Sequence, residues 1–122
     1  MTRPFQLPRR ADPIRFDEIV LTAFCQQHGG NAEYVLADIL ERIEARLPLA
    51  GSLLGRGNVD DLRAVCLDLK GLSAEIGMIT LDACVDNLLT CLDADDGVAA
   101  TACAARLGRL RQDQTTRNWI VA

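Results

Sequence analysis

Histidine occurs once in this chain, aromatic residues occur five times, and no apolar run approaches the ~20 residues that a membrane-crossing helix needs. Each scarcity excludes something. Few aromatic rings leave the core to Leu, Ile, Val and Ala, a composition that favours helices over sheets. Without a long apolar run, and with Met1-Thr2-Arg3-Pro4-Phe5 in place of an apolar signal core, no membrane association is expected and the expected compartment is the cytoplasm. Lys and Arg form no block beyond short pairs such as Arg9-Arg10, and 13 basic against 17 acidic residues give a net charge of −4. A protein that seeks phosphate backbones presents a basic face, so nucleic acid is not an expected partner. Five cysteines are present, but the count is odd and no Cys-x-x-Cys pair occurs. That spacing supports neither a disulfide framework nor a zinc site, and the thiols read as small apolar side chains. No metal or cofactor is expected. Strand signals are missing as well: there is no sustained alternation of apolar and polar residues and no Asn-Gly hairpin.

What is present is helical periodicity over a length that suits one domain. Residues 1–12 carry two prolines and three arginines without periodicity, and are expected to form a flexible arm or a strap. The bundle is expected over residues 13–112, followed by a tail over 113–122 that contains the only tryptophan, Trp119. A first helix has Asp12 or Asp17 as its cap, an apolar stripe of Ile19, Val20, Ala23 and Phe24, and Gly29-Gly30 as its stop. Asn31 is placed to cap a second helix with the stripe Leu36, Ile39, Leu40, Ile43 and Leu47. Pro48 is expected to kink or end it, with a further turn or two over Leu49 to Leu54 before Gly55-Arg56-Gly57 breaks the chain. Asn58 caps a third helix from Val59 to Gly77, with Asp60 and Asp61 in its first turn at the positive end of the dipole. Thr80 offers the cap of a fourth helix, with Leu81, Cys84, Val85, Leu88 and Leu92 on its buried side, which stops at the acidic turn before Gly97. An alanine-rich fifth helix from Val98 to Arg111 places Ala99, Ala102, Cys103, Arg106 and Leu110 on one side. Amphipathic helices joined by short loops pack most simply as an all-α, antiparallel four-helix bundle.

The third helix is unusual on its outer side. At about 100° per residue, Leu62, Val65, Cys66, Leu69, Leu72, Ser73 and Ile76 fall in one sector, which is the buried one. Leu67 lies roughly 150° from the centre of that sector, so an apolar side chain points to water. Gly71, Ala74 and Met78 follow on the same side. Arg63 and Lys70 flank this strip on one edge, and Asp61, Asp68 and Glu75 run along the other. A smooth apolar strip with a charged rim has the form of a docking surface.

The run Leu67-Asp68-Leu69-Lys70-Gly71-Leu72-Ser73-Ala74-Glu75-Ile76-Gly77 resembles the signature helix of the histidine-containing phosphotransfer (HPt) domains, which reads His-x-Leu-Lys-Gly with a second Gly six positions after the first. Lys70, Gly71 and Gly77 match, and the histidine is replaced by Leu67. Gly29-Gly30-Asn31 is similar to the family's Gly-Gly-Asp, and Leu81, Cys84 and Leu88 are similar to its next helix, so the likeness spans about residues 14–110. The resemblance implies a bundle of HPt type that relays a phosphoryl group to or from response-regulator receiver domains or hybrid histidine kinases. It also implies roles at the signature: the histidine accepts the phosphoryl group, the lysine three residues on neutralises it, and the glycine four residues on leaves room for the receiver.

Leucine has neither a lone pair nor a titratable proton and cannot accept a phosphoryl group. The single histidine, His28, sits at the end of the first helix, Asp68 and Cys66 point about 100° to either side of Leu67, and the Mg²⁺ ligands an aspartyl phosphate would need are not found in this segment. The expectation is therefore a non-enzymatic module. It binds a receiver or kinase domain through Arg63, Leu67, Lys70, Gly71, Ala74 and Met78 without passing phosphate, and is a monomer. Two alternatives are an active phosphotransfer protein with another acceptor and a helical scaffold that dimerises through the exposed strip.

Overall fold

The computed structural model describes residues 14–111. The expected arm over 1–12 and the tail around Trp119 lie outside the described residues. Within them the chain forms five α-helices, and no strand occurs among the described residues. These are α1 (Glu18–His28), α2 (Ala32–Gly55), α3 (Val59–Ile76), α4 (Ile79–Asp93) and α5 (Gly97–Arg111), with a 3-10 turn over Gly29–Asn31 between the first two. The last four pack in a closed ring, each against the two beside it in the order α2, α3, α4, α5 and back to α2, while α1 lies against α2 and α3.

The ends of the helices follow local chemistry. Asp17 caps α1, its Oδ1 accepting from the amides of Ile19 at 3.0 Å and Val20 at 3.3 Å. Asn58 caps α3 by accepting from the Asp61 amide at 3.2 Å, and its own amide group donates to the Asp61 carboxylate at 2.9 Å. In the acidic turn before α5, Asp96 accepts from the Ala99 amide at 3.1 Å. Two expected caps are not formed. Asn31 stands ahead of α2 but makes no side-chain bond, because the 3-10 turn already holds it in helical conformation and the Ala32 amide bonds back to Gly29. Thr80 lies inside α4 instead of ahead of it; the residue preceding the helix is Met78, and the Thr80 hydroxyl accepts from the Arg15 amide at 2.8 Å.

Packing decides one open expectation and corrects two others. Pro48 does not end α2, which runs on to Gly55, because Ala50 and Leu53 continue the buried row begun by Leu36, Ile39, Leu40, Ile43 and Leu47. The proline lies on the exposed side, where its missing N–H costs least. On α1 the stripe is narrower than its spacing suggests: Phe24 is buried, but Ile19 is 82% exposed and Ala23 faces water. The buried row of α5 is Ala100, Ala104, Leu107 and Leu110, with Ala102 exposed and Ala99, Cys103 and Arg106 half-buried. An alanine-rich helix leaves its phase to its few large side chains, here Leu107 and Leu110.

The core is aliphatic. Leu62, Leu69, Leu81, Val85, Leu88 and Leu107 are inaccessible to solvent, joined by Ile39, Ile43 and Ile76. The third helix buries Leu62, Cys66, Leu69, Leu72, Ser73 and Ile76, with Val65 half-buried at the margin. It ends on Gly77, whose φ of 72° is left-handed and whose neighbours leave no room for a side chain: a Cβ there would come within 2.9 Å of the Val20 Cβ and 3.0 Å of the Asp17 carbonyl. That closeness reflects a strap. Residues 14–17 run across the α3–α4 junction, with Asp17 donating its amide to the Gly77 carbonyl at 2.7 Å and Ile79 donating to the Arg15 carbonyl at 2.9 Å. Phe16 and Met78 face each other in an antiparallel bridge.

Candidate functional site

The outer side of α3 carries Leu67 at 62% exposure, with Gly71 one turn on and Ala74 beyond it, both open to solvent. Gly71 is not a packing glycine, since a Cβ there would meet nothing within 4 Å. Glycine inside a helix costs up to about 1 kcal/mol relative to alanine, and no contact within the described chain accounts for it. Gly51 and Gly108 are equally open; what sets Gly71 apart is its place beside an exposed leucine. The result is a leucine knob next to a bare stretch of backbone.

The structure places five of the six expected contact residues on this side and removes the sixth. Met78 is only 5% exposed. The helix stops at Ile76, the left-handed Gly77 turns the chain, and the Met78 amide bonds back to the Ser73 carbonyl at 2.8 Å. The helical phase that would have carried Met78 outward ends two residues earlier, and the strap at Phe16 covers it.

The rim is a set of ion pairs between helices. Arg63 donates to the Asp93 carboxylate of α4 at 2.7 Å. Lys70 donates to two carboxylates of α4, Asp86 at 2.6 Å and Asp82 at 3.1 Å. These bonds, the one to Asp86 first and the one to Asp82 next, push the Lys70 pKa above its ordinary value. On the α2 side, Asp68 meets Arg46 at 3.6 Å. Arg63 and Lys70 thus lie toward α4 and Asp68 toward α2, and each of these cations is already engaged within the molecule. In these pairs the cation side chains are 29–37% exposed and their carboxylate partners 41–69%, so the outermost charges are negative.

Arg46, Asp82, Asp86 and Asp93 were not legible as members of this site. Asp82 and Asp86 are four apart in the sequence and share a helical face, which was a usable signal, but only the fold shows that the face looks toward Lys70.

The Ser73 hydroxyl is buried and donates to the Lys70 carbonyl at 3.1 Å. Burial raises the Cys66 thiol to about 11, an effect only partly offset by Arg63. His28 closes α1 half-buried, its ring 4.4 Å from that of Phe24. Among the described residues no group of three or more His, Cys, Asp or Glu side chains is arranged to hold a metal ion. Two surface depressions, one at the α4–α5 turn and one between Arg15, Asn87 and Arg106, include no residue of α3. No helix among the described residues is long and apolar enough to cross a membrane. Comparison of the chain with protein-family models, with curated proteins and with solved structures returned no match.

Proposed function

We propose that this protein is a signalling module with an antiparallel bundle of HPt type, which docks a receiver domain of a response regulator or a hybrid histidine kinase, in the cytoplasm, and transfers no phosphoryl group. The observation that carries this reading is Leu67, an apolar side chain 62% exposed at the centre of a strip whose other members, Gly71 and Ala74, add no bulk. Burying a leucine in a partner contributes about 1.5–3 kcal/mol, enough to serve as the central anchor of a modest interface. Lys70 fits binding without transfer, since the cation that would neutralise a phosphate is engaged by Asp82 and Asp86.

The test is titration of wild-type and Leu67→Asp protein against purified receiver domains. A carboxylate at the anchor is expected to weaken binding at least tenfold, corresponding to the ~1.4 kcal/mol or more lost when the leucine cannot be buried. Equal affinity of the two proteins removes Leu67 from the interface and with it this reading.

A further inference from the structure

Cys91 on α4 and Cys103 on α5 bring their sulfur atoms to 3.9 Å, both half-buried, and neither belongs to the face on α3. We propose that these two thiols are a modification site, forming a reversible disulfide that ties α4 to α5. The inference rests on the sulfur geometry alone and is independent of any partner.

The other cysteines are placed differently. Cys25 is exposed on α1, while Cys66 and Cys84 are buried in the core. Only the pair at 91 and 103 combines partial access to solvent with a second sulfur at contact distance. A disulfide needs its sulfurs at about 2.05 Å, so the gap to be closed is about 2 Å.

The oxidant is a hydroperoxide. The thiolate of one cysteine attacks a peroxide oxygen, the O–O bond breaks, and the sulfur becomes a sulfenic acid as the other oxygen leaves as water. The second sulfur then attacks the sulfenic sulfur, the S–O bond breaks, and a second water leaves with the remaining thiol proton. Two thiols and one hydrogen peroxide give one disulfide and two waters. Reduction by a dithiol such as dithiothreitol reverses the change by exchange. Burial, and then the hydrogen bond with Cys91 and the nearby Cys84, raise the Cys103 pKa against the opposing pull of Arg106. Thiolate is therefore scarce at neutral pH, and the reaction is best followed at mildly alkaline pH.

The experiment treats the folded chain with hydrogen peroxide, alkylates what remains, and cleaves before aspartate. Cleavage at Asp82, Asp86, Asp93, Asp95 and Asp96 puts Cys84, Cys91 and Cys103 on separate peptides. The expected result is a loss of about 2 Da, a fall from five free thiols to three in denaturant, and a linked pair of peptides bearing Cys91 and Cys103 that dithiothreitol separates. Cys91→Ser and Cys103→Ser should each abolish the loss, and Cys25→Ser should leave it unchanged. Linkage through Cys84, a dimer joined at Cys25, or five intact thiols under conditions that oxidise free cysteine would each overturn the proposal.

Discussion

On the proposed reading Leu67 serves contact without transfer, and Lys70 beside it bears on the same point. Lys70 is held by Asp82 and Asp86 at 3.1 and 2.6 Å, so a histidine placed at 67 would face a cation already matched by two carboxylates. Leu67→His alone is therefore expected to accept no phosphoryl group from a phosphorylated receiver domain, whereas Leu67→His with Asp82→Asn and Asp86→Asn should become labelled. Labelling of the single variant would show that the ion pairs do not restrain Lys70. Cys66 gives a prediction in pH. Burial pushes its pKa in the folded state up to about 11, so the folded state holds the thiol proton more tightly than the unfolded state. The corresponding stability is complete below pH ~9 and is lost as pH rises toward ~11, up to about 2–3 kcal/mol. Chemical denaturation of wild-type and Cys66→Ala protein at pH 8 and pH 11 checks this, with a steeper alkaline fall expected for the wild type.

The elements themselves were legible where a cap, a glycine stop and large apolar residues agreed. The bounds of α3 follow from Asn58, Gly77 and seven phased apolar or small residues, and they hold to within one residue. Legibility failed where the deciding contact was distant in sequence. Thr80 has the chemistry of a cap, but its hydroxyl is taken by the amide of Arg15, 65 residues away. Met78 followed the phase of a helix that had already ended, whereas the further turns expected after Pro48 are present, with Ala50 and Leu53 in the core. Gly77 was visible as the end of α3 and as a member of a motif; its physical reason, the close approach of Val20 and Asp17 at a left-handed turn, was not. Gly77→Ala should therefore destabilise the fold by about 2 kcal/mol or more, combining the cost of a left-handed alanine with displacement of α1. Urea denaturation measures it, and a loss below ~0.5 kcal/mol would mean that the junction relaxes freely.

Across the whole molecule, the ring of α2 to α5 carries the aliphatic core, and α1 with its strap is fastened to the outside by a few bonds. Contacts between helices adjacent in the chain close short loops, but the strap joins residues 14–17 to 77–80 across most of the described length. Closing so long a loop costs entropy that only the finished ring can repay. The strap is thus expected to dock after the ring and to open before it. In a hydrogen-exchange experiment the amides of Arg15 and Asp17 should exchange through local opening, well ahead of those of Leu69 and Leu88, whose release requires the core to unfold. Equal rates would mean that strap and ring open together. Each such opening would bare Met78 and the mouth of the α3–α4 junction while the leucine knob stays in place, giving a protease or a methionine oxidant access to a side chain that the resting fold withholds.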